Sequence, residues 1–536
     1  MKSADIIFIG YENLENLGLR SMISYLHSKN FSAELVAFQP GHKYEILKAI
    51  KKKSPSIVGF SLIFQYTLHE FKELIRYLRK NSIHSHFTAG GHFPSIEPAL
   101  TFELIPELDS IVRFEGEQTI VDLVNNLSDT DKWQEIAGLA YKTGSGIKIN
   151  DNRPLIEDLD SLPFLFRDEH LETIAGIKTA SMLASRGCLN NCSFCSIRRF
   201  YGNSGGPLRR VRSPQSVVSE MSDLYHQNNV CYFLFQDDDF ANRSTSQRIW
   251  IMKFLEEIEK QNLSKNIRWK ISCRVDDIDR ETFSRMKDHG LSYVYLGIES
   301  GNSTGLQTLN KGVTVEQNLK AISILKELGI GIFIGFMLFD PSTTDLTIRE
   351  NLAFLRTIGS DGYFSIDFCK MLPYAGTPIE KVLRESGRLT GTLAEPDYDF
   401  TGPEMNIYFY LVQKIFSYRN FNNEGIVNSL IILEFEFRLI KEFYPDFPII
   451  EFQKELSGLI ARTNIHAIDT LEKLLDIAYA MELHHSSENG NEAIELAETE
   501  WKVEFEIKAA IENLKNRYMS DFNAKASLSD HLWHVR

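Results

Sequence analysis

The sequence predicts an α/β fold in three parts: an N-terminal doubly wound, Rossmann-like domain, a central partial (β/α)6 barrel and an all-helical C-terminal domain. Two features of the 536 residues indicate this fold. Up to about residue 400, short apolar runs alternate with amphipathic helical segments, which is typical of parallel sheets covered by helices. Beyond Pro403 only the helical period remains.

The first part carries five strand patterns separated by helical ones. The apolar runs are Asp5–Gly10, Ala33–Phe38, Ile57–Phe64, His86–Ala89 and Ser110–Phe114. Short turns follow the strand ends, and this edge of a doubly wound sheet is where ligands bind. We assign residues 1–130 to this domain and the less regular residues 131–175 to a linker.

The alternation of strands and helices resumes within residues 176–395, which we assign to the barrel. Six apolar runs are expected to form its strands: Ala180–Ala184, Cys231–Phe235, Trp269–Cys273, Tyr293–Gly297, Gly331–Met337 and Ser365–Met371. Six βα units in roughly 200 residues indicate a partial barrel rather than one of eight units. We assign residues 396–536 to the helical domain, whose aromatic residues are expected to lie in its core.

The composition excludes several classes of protein. Lys and Arg number 58 and Asp and Glu 72, so the net charge of −14 disfavours a general nucleic-acid binder, which needs a broad basic surface. No run approaches the ~18 consecutive apolar residues of a membrane span, and Ile6–Gly10 is too short for a signal-peptide core. Six cysteines are too few for a disulfide framework in this chain. We therefore expect a cytoplasmic protein.

Three of the cysteines are clustered in a loop that follows the first barrel strand. Cys188, Cys192 and Cys195 have the spacing CxxxCxxC, and Gly187 permits a tight loop. Three thiolates can wrap one face of a 4Fe–4S cluster and leave the fourth iron open for a small molecule. Zinc is the alternative, although structural zinc prefers four protein ligands. The remaining cysteines fall in apolar strands and are expected to be buried thiols: Cys231, Cys273 and Cys369.

Charged residues end the next three barrel strands. Asp238 follows the second strand, Arg274 ends the third and Glu299 ends the fourth. These positions lie at the carboxyl-terminal mouth of the barrel, where barrel enzymes place their chemistry. A carboxylate there can accept hydrogen bonds from an ammonium group, and Arg274 can pair with a carboxylate. The alternative is that each residue caps a helix or pairs with a neighbour.

The cysteine loop, with Phe194 before its last cysteine and a partial barrel behind it, resembles the radical S-adenosylmethionine (SAM) superfamily. The resemblance implies that Cys188, Cys192 and Cys195 bind a 4Fe–4S cluster whose open iron takes the amino and carboxylate groups of SAM. It also implies an external one-electron reductant such as flavodoxin or ferredoxin, whose electron cleaves SAM to a 5′-deoxyadenosyl radical. The three charged strand ends would then bind SAM.

The N-terminal domain carries small residues at its strand ends. The motif GxGxxG is absent after the first strand, which disfavours a dinucleotide site. The succession of an Asn13–Gly18 loop, a Ser61-Leu62-Ile63 segment and a Gly90-Gly91 pair resembles the cobalamin-binding fold in pattern and spacing. The resemblance implies a cobalamin site formed by six residues: Asn13, Glu15, Gly18, Ser61, Gly90 and Gly91.

Two of these residues depart from the cobalamin-binding pattern. Asn13 and Glu15 stand where the family has an aspartate and the cobalt-ligating histidine. Cobalamin would therefore be bound with no histidine below cobalt, a variation found among the cobalamin-dependent radical SAM enzymes, which the first 380 or so residues resemble. The alternative is a doubly wound domain that recognises substrate and has lost its cofactor.

The combined resemblance implies an enzyme that methylates an unactivated carbon of a small-molecule substrate. The substrate radical would take a methyl group from methylcobalamin, and two SAM molecules would be used per turnover. The alternative is that the same cofactors serve a non-methylating radical cyclisation, ring contraction or oxidation. A methylthio-transferring enzyme is disfavoured because its N-terminal domain needs three further cysteines, and residues 1–187 contain none. A cofactor-responsive sensor is disfavoured because the sequence has no DNA-binding motif or basic helix.

Overall fold

Two seven-stranded sheets form the centre of the protein, and the predicted α/β fold class is confirmed. The structure is a computed structural model that describes residues 4–12, 15–168, 171–484 and 487–529. The strands of the first sheet are β1 (Ile6–Gly10), β2 (Ala33–Ala37), β3 (Ile57–Ser61), β4 (His86–Gly90), β5 (Ser110–Val112), β6 (Leu139–Thr143) and β7 (Gly146–Ile149).

The first sheet has the strand order β2-β1-β3-β4-β5-β6-β7. Strands β1 to β5 pair in parallel, and β1 is buried along its whole length because helices cover both faces of the sheet. The helices of this part are α1 (Leu17–Ser28), α2 (Lys43–Lys53), α3 (Leu68–Lys80), α4 (His92–Ile96), α5 (Pro98–Leu104), α6 (Glu117–Asn126) and α7 (Thr130–Trp133).

The first sheet extends beyond residue 130. Strand β6 pairs antiparallel with β5, and β7 pairs antiparallel with β6. Residues 131–175, which the sequence predicts to be a linker, thus contain two strands of the first sheet. Strand β7 is exposed along its whole length, so it has no buried apolar face whose alternation could reveal it in the sequence.

The second sheet is the partial barrel. Its strands are β8 (Thr173–Ile174), β9 (Ile177–Met182), β12 (Val230–Phe235), β13 (Arg268–Arg274), β14 (Leu291–Glu299), β15 (Gly331–Phe339) and β16 (Cys369–Lys370). The last six pair in parallel in this order, whereas β8 pairs antiparallel with β9. The sixth strand covers two residues rather than the predicted Ser365–Met371.

Two short antiparallel pairs and eight helices accompany the barrel strands in the described chain. The pairs are β10 (Ser185–Arg186) with β11 (Arg210–Val211), and β17 (Leu389–Gly391) with β18 (Pro396–Tyr398). The helices are α8 (Ile197–Gly202), α9 (Pro214–Asn228), α10 (Thr245–Lys260), α11 (Arg280–Asp288), α12 (Ser303–Thr308), α13 (Val315–Glu327), α14 (Asp345–Gly359) and α15 (Pro378–Glu385).

The C-terminal helices pack directly on the barrel. They are α16 (Pro403–Ile415), α17 (Ser417–Phe421), α18 (Ile426–Phe443), α19 (Ile449–His484) and α20 (Ser487–Ser529). Helices α16 and α19 share one apolar core with the barrel, and Leu439 of α18 packs against the barrel side chains Tyr232 and Leu234. Helix α18 therefore closes the amino-terminal end of the barrel. No helix in the described residues is long and apolar enough to cross a membrane.

Candidate active site

The cysteine loop leaves β10 through a backbone turn that requires glycine. Gly187 has φ +84°, and a Cβ at this position would lie 1.9 Å from the carbonyl oxygen of Leu208. Its amide donates to Asp238 Oδ2 at 2.9 Å. Farther along, Ser193 donates through its amide to Leu309 O at 2.9 Å, which ties the loop to the end of α12. The loop is thus held from β12 and from α12.

The three cysteine thiols lie in the same loop and face different partners. Asn190 donates through Nδ2 to Cys188 Sγ at 3.3 Å, and Arg274 donates to Cys192 Sγ at 3.5 Å. Burial raises the pKa of Cys195 to about 12, with smaller contributions that include the neighbouring thiols. No three His, Cys, Asp or Glu side chains within the described ranges are grouped so as to hold a single metal ion. A cubane cluster spreads its ligands wider than one ion does.

The mouth of the barrel brings Arg274 and Glu299 together with a residue that the sequence analysis did not identify. Glu299 has φ +67° and follows a bulge between Gly297 and Glu299, which turns its side chain into the mouth. Its Oε1 accepts from Lys311 Nζ at 2.9 Å. Gly297 makes room for this pair, because a Cβ there would lie 2.7 Å from Glu299 Oε1. Arg274 donates to the carbonyl of Lys311 at 2.5 Å and pairs with Asp276 at 2.9 Å.

The buried ammonium group of Lys311 stays charged. Burial would lower the pKa of Lys311, but attraction to Glu299 and to Cys192 outweighs it and holds the pKa above its ordinary value. Sequence alone gives little sign of Lys311, because it lies in the turn between α12 and α13 rather than at a strand end. The mouth therefore carries one more positive group than the sequence predicts.

Three consecutive aspartates follow β12 and point in different directions. Asp237 is buried and accepts from the amide of Ala184 at 3.2 Å, and burial raises its pKa to about 6. Asp239 is also buried and shares a hydrogen bond with Asp277, whose pKa burial and Asp239 raise to about 8. Asp238 is the exposed member of the three, and its Oδ2 accepts from the amide of Gly187 at the start of the cysteine loop.

The strand ends of the first sheet form a separate cradle. Ser61 and Gly90 are register partners, and Asn16, which caps α1, donates through Nδ2 to Ser61 Oγ at 3.2 Å. Gly91 has φ +116°, and a Cβ there would lie 2.5 Å from the carbonyl oxygen of Leu62. Gly18, in the first turn of α1, is exposed. Asn13 lies outside the described residues.

Glu15 is directed toward the barrel rather than toward the Ser61–Gly90 strand ends. Its Oε1 pairs with Arg167 at 2.8 Å, and its Oε2 accepts from the amide of Ser181 in β9 at 2.5 Å. Glu15 thus bridges the two sheets. Arg20 strengthens the same bridge through Asp168 at 2.6 Å.

A buried ion-pair cluster joins the first domain to the start of the cysteine loop. Arg186 pairs with Glu115 at 3.0 Å and with Glu117 at 2.7 Å, and Arg210 pairs with Glu115 at 2.8 Å. Burial would raise the pKa of Glu117, but the charge of Arg186 outweighs it and holds the pKa below its ordinary value. Because Arg186 stands two residues before Cys188, this cluster fixes the loop relative to the first sheet.

Two further contacts connect the first domain with the barrel, one beside the cysteine loop and one beyond β16. His92, which follows the Gly90-Gly91 pair, stacks on Phe200 at 4.4 Å, and its Nδ1 lies 3.2 Å from Ser196 Oγ. Burial lowers the pKa of His92 to about 4, so the ring is neutral at pH 7. Gln65 accepts from the amide of Ala375, beyond β16, at 2.8 Å. The first domain therefore contacts both edges of the partial barrel.

The inside of the barrel is a solvent-accessible chamber. Side chains that point outward from the strands, such as Ile271 and Leu296, are fully buried. Nearer the amino-terminal ends, the inward-pointing side chains Tyr232, Leu234 and Tyr293 are also buried. Five others on the inner face remain partly exposed: Gln236, Lys270, Ser272, Tyr295 and Phe333. Since helices cover the outer face, this exposure comes from the interior.

The single cysteines divide between core and chamber. Cys273 is buried as expected, but Cys231 is half-buried and Cys369 is exposed, so the expectation of three core thiols is wrong for two of them. Cys369 begins the short strand β16, and desolvation, with smaller contributions from the charges of Asp367 and Glu299, raises the pKa of its thiol to about 12. This thiol belongs to the chamber wall.

Comparison with known protein families agrees with this arrangement. Residues 182–355 match the radical SAM superfamily, and residues 10–124 match the B12 binding domain. Together the two matched segments account for more than half of the chain.

Two curated proteins and one solved structure illustrate the similarity. A protein named uncharacterized methyltransferase from Pyrococcus horikoshii is 29% identical over 343 residues, which are 62% of this chain and 71% of that protein. Anaerobic magnesium-protoporphyrin IX monomethyl ester cyclase from Cereibacter sphaeroides is 28% identical over 354 residues, which are 64% of this chain and 55% of the cyclase. The cobalamin-dependent SAM radical enzyme OxsB, solved with aqua-cobalamin bound, has a TM-score of 0.71 at 18% identity and covers 97% of this chain and 84% of that one.

Proposed function

Because the chain belongs to the radical SAM superfamily and carries an N-terminal B12-binding domain, we propose that it is a methyltransferase that acts on an unactivated carbon of a small molecule. The methyltransferase from Pyrococcus horikoshii supports this assignment by name and by its extent of similarity. Because the match covers about half of the cyclase, the activity of that enzyme is the weaker guide.

The cysteine loop supplies the ligands of the 4Fe–4S cluster in this proposal. Cys188, Cys192 and Cys195 are the three thiolates, and Arg274 stabilises the charge on Cys192 through its hydrogen bond. Burial raises the pKa of the Cys188 and Cys195 thiols, so metal binding must offset the cost of ionising them.

The mouth of the barrel supplies the groups that bind SAM. Asp238 is exposed beside the loop and suits the ammonium group of SAM, while Glu299 suits its ribose hydroxyls. The carboxylate of SAM is assigned to the positive groups Arg274 and Lys311, which lie side by side at the mouth. When bound, the cluster supplies the electron that cleaves SAM, and cobalamin supplies the methyl group that is transferred.

The strand ends of the first sheet supply the cobalamin site. Ser61, Gly90 and Gly91 leave space for the nucleotide tail between the strand ends, and Gly18 begins the helix beside it. Glu15 is engaged by Arg167 and Ser181, so we assign it the role of orienting the loop and not of ligating cobalt.

One observation carries the proposal: the cysteine loop and the strand ends of the first sheet are joined by direct side-chain contacts. Arg186 links the loop to Glu117 of the first domain, and His92 links the Gly90-Gly91 turn to Ser196, one residue beyond Cys195. Methyl transfer to a substrate radical requires both cofactors to reach the same substrate, and this proximity of the two sites supports such a reaction.

The test is anaerobic reconstitution with iron, sulfide and cobalamin, followed by desalting and metal analysis. We expect about four irons and one cobalt per chain. With SAM and a one-electron reductant, such as flavodoxin or ferredoxin, mass spectrometry should detect 5′-deoxyadenosine. With an accepted substrate, it should also detect one S-adenosylhomocysteine per methylated product. The three cysteines must stay reduced in order to bind the cluster. This requirement suits the reducing cytoplasm, where we place the protein.

The test variant is Cys192→Ala, and its matched control is Cys231→Ala, because Cys231 lies on the barrel but outside the loop. The first variant should lose iron and 5′-deoxyadenosine formation, and the second should keep both. Four irons without retained cobalt would refute methyl transfer through cobalamin. Formation of 5′-deoxyadenosine and an altered substrate without S-adenosylhomocysteine would instead assign a non-methylating radical reaction.

A further inference from the structure

Lys270 is an inward-facing lysine near the floor of the barrel chamber. It is the third residue of β13, and its register partners are Leu234 on β12 and Tyr293 on β14. Its outward-facing neighbours, Trp269 and Ile271, are fully buried against helices, whereas Lys270 is half-buried. The side chain therefore projects into the chamber, above the closure formed by Tyr232 and helix α18.

No described residue pairs with the ammonium group of Lys270. Other partly or fully buried lysines have carboxylate partners, such as Lys311 with Glu299 at 2.9 Å and Lys370 with Asp397 at 2.5 Å. Burial alone lowers the pKa of Lys270, without an opposing charge. An unpaired ammonium group in a partly desolvated site is costly unless a ligand supplies the missing charge.

The neighbouring groups would assist such a ligand without competing with it. Gln236 faces the chamber from β12, and its buried Nε2 has no hydrogen-bond partner within the described residues. Ser272, two residues beyond Lys270 on the same face, adds a hydroxyl. One positive charge and two neutral hydrogen-bonding groups match one carboxylate, while a phosphate dianion calls for further positive charge.

Two carboxylates, that of SAM and that of Glu15, are too far away to pair with Lys270. Arg274, to which we assign the carboxylate of SAM, is four residues beyond Lys270 on β13, or about 13 Å away. The carboxylate of SAM therefore lies too far along the barrel to pair with Lys270. Glu15 reaches Ser181 on β9, two strands or about 10 Å from β13, and Arg167 already neutralises it.

We infer that Lys270 binds a carboxylate group of the substrate and that the enzyme acts on a carboxylic acid. This inference rests on the proposed function, since it takes the chamber to be the substrate site. The carboxylate would be held at the chamber floor by Lys270 and Gln236. The rest of the molecule would then extend toward the mouth, where Glu299 and Arg274 lie.

The experiment is anaerobic calorimetry of the reconstituted full-length enzyme with three probes: butyrate, its neutral isostere butyramide, and methyl phosphate. We expect butyrate to bind the wild type more tightly than either other probe. Lys270→Met should weaken butyrate binding at least about tenfold, because it removes a charge-assisted hydrogen bond. Lys270→Arg keeps the charge and should stay within about threefold of the wild type. The iron and cobalt contents of each variant verify that the protein has folded.

The matched control is Lys253→Met, which removes an exposed lysine from helix α10 and should leave butyrate binding unchanged. Butyrate binding that is absent from the wild type, or equal in Lys270→Met, would overturn the inference, as would tighter binding of methyl phosphate. Failure of the proposed function gives a different result, because the wild type would then retain no cobalt, form no 5′-deoxyadenosine, or form it without S-adenosylhomocysteine. An enzyme that forms 5′-deoxyadenosine but binds butyrate independently of Lys270 loses only the carboxylate assignment.

Discussion

Replacing Arg186 by methionine should destabilise the protein mainly through one carboxylate. Arg186 is the shared partner of Glu115 and Glu117, and all three side chains are nearly excluded from solvent. In Arg186→Met, Glu115 keeps Arg210 at 2.8 Å. Glu117 keeps the hydroxyl of Ser21, at 2.7 Å, as its one remaining side-chain partner among the described residues. Removing one partner of a buried ion pair costs about 3–5 kcal/mol, so we expect a loss of this size.

The assay is guanidinium denaturation of the reconstituted protein at pH 8 and at pH 5, with unfolding monitored by circular dichroism. The deficit of Arg186→Met should be largest at pH 8. Without Arg186, burial raises the folded-state pKa of Glu117 above its unfolded value, so stability is gained as the pH falls and the carboxyl becomes protonated. The variant should also retain less cobalamin, because the cysteine loop and the first domain are no longer held together.

Two further variants make this reasoning refutable. Arg186→Met combined with Glu117→Gln removes the buried charge and should recover much of the lost stability at pH 8. Arg280→Met breaks an ion pair with Glu327 in which both side chains are about half exposed, so its loss of stability should be a small fraction of the loss in Arg186→Met. Equal stabilities of Arg186→Met and Arg280→Met, or a deficit independent of pH, would refute the argument.

Three other predictions concern the two cofactor sites. Gly91→Ala should lower the cobalt retained per chain to less than about half, because its Cβ would strike a backbone oxygen at φ +116°, whereas Gly41→Ala, at φ +95° with open space, should retain it. Lys311→Met leaves Glu299 buried without its cation, so 5′-deoxyadenosine formation should fall at least about tenfold while the iron content stays unchanged. His92→Phe should make the free energy of unfolding depend less on pH. Burial lowers the pKa of His92 to about 4, so the neutral ring contributes its full stabilisation above pH ~6.5, and this stabilisation is lost as the pH falls toward 4. An unchanged acid transition in the phenylalanine variant would contradict the last of these.

The sheets could be predicted from sequence because parallel strands covered on both faces are continuous apolar runs. Strand β1 is buried at every position, and this pattern is visible without any knowledge of its neighbours. Strands β6 and β7 could not be predicted in the same way, since β7 is exposed throughout and only its pairing with β6 defines it. The short strand β16 illustrates the reverse case, in which an apolar run forms a chamber wall and not a regular strand.

The same distinction holds for the candidate site, where local patterns could be predicted and long-range contacts could not. The cysteine loop and the charged strand ends are local patterns, so their approximate position follows from the fold class alone. The partners of Glu15 and Arg186 lie far away in sequence, in another domain, and no local pattern predicts such pairs. Lys270 is an intermediate case. In the run Arg268–Arg274 polar and apolar residues alternate, which separates the chamber face from the core face, but the absence of a partner for Lys270 appears only in three dimensions.

The nature of the contacts between the domains bears on how the two cofactor sites keep their geometry. One edge of the partial barrel is joined to the first domain by buried carboxylate–arginine pairs, at Glu15 and at Glu117, and the other edge by Gln65. Apolar contacts would hold the two domains together but would fix their relative orientation only weakly. Buried ion pairs add little net stability, but they form in few geometries and therefore fix the orientation. A methyl group can pass to a short-lived radical only if the distance between the sites is constant from one turnover to the next. In the cobalamin site proposed above, Glu15 would stand in the place of the family's histidine, and a ligand below cobalt would then be exchanged for a contact that orients the domain.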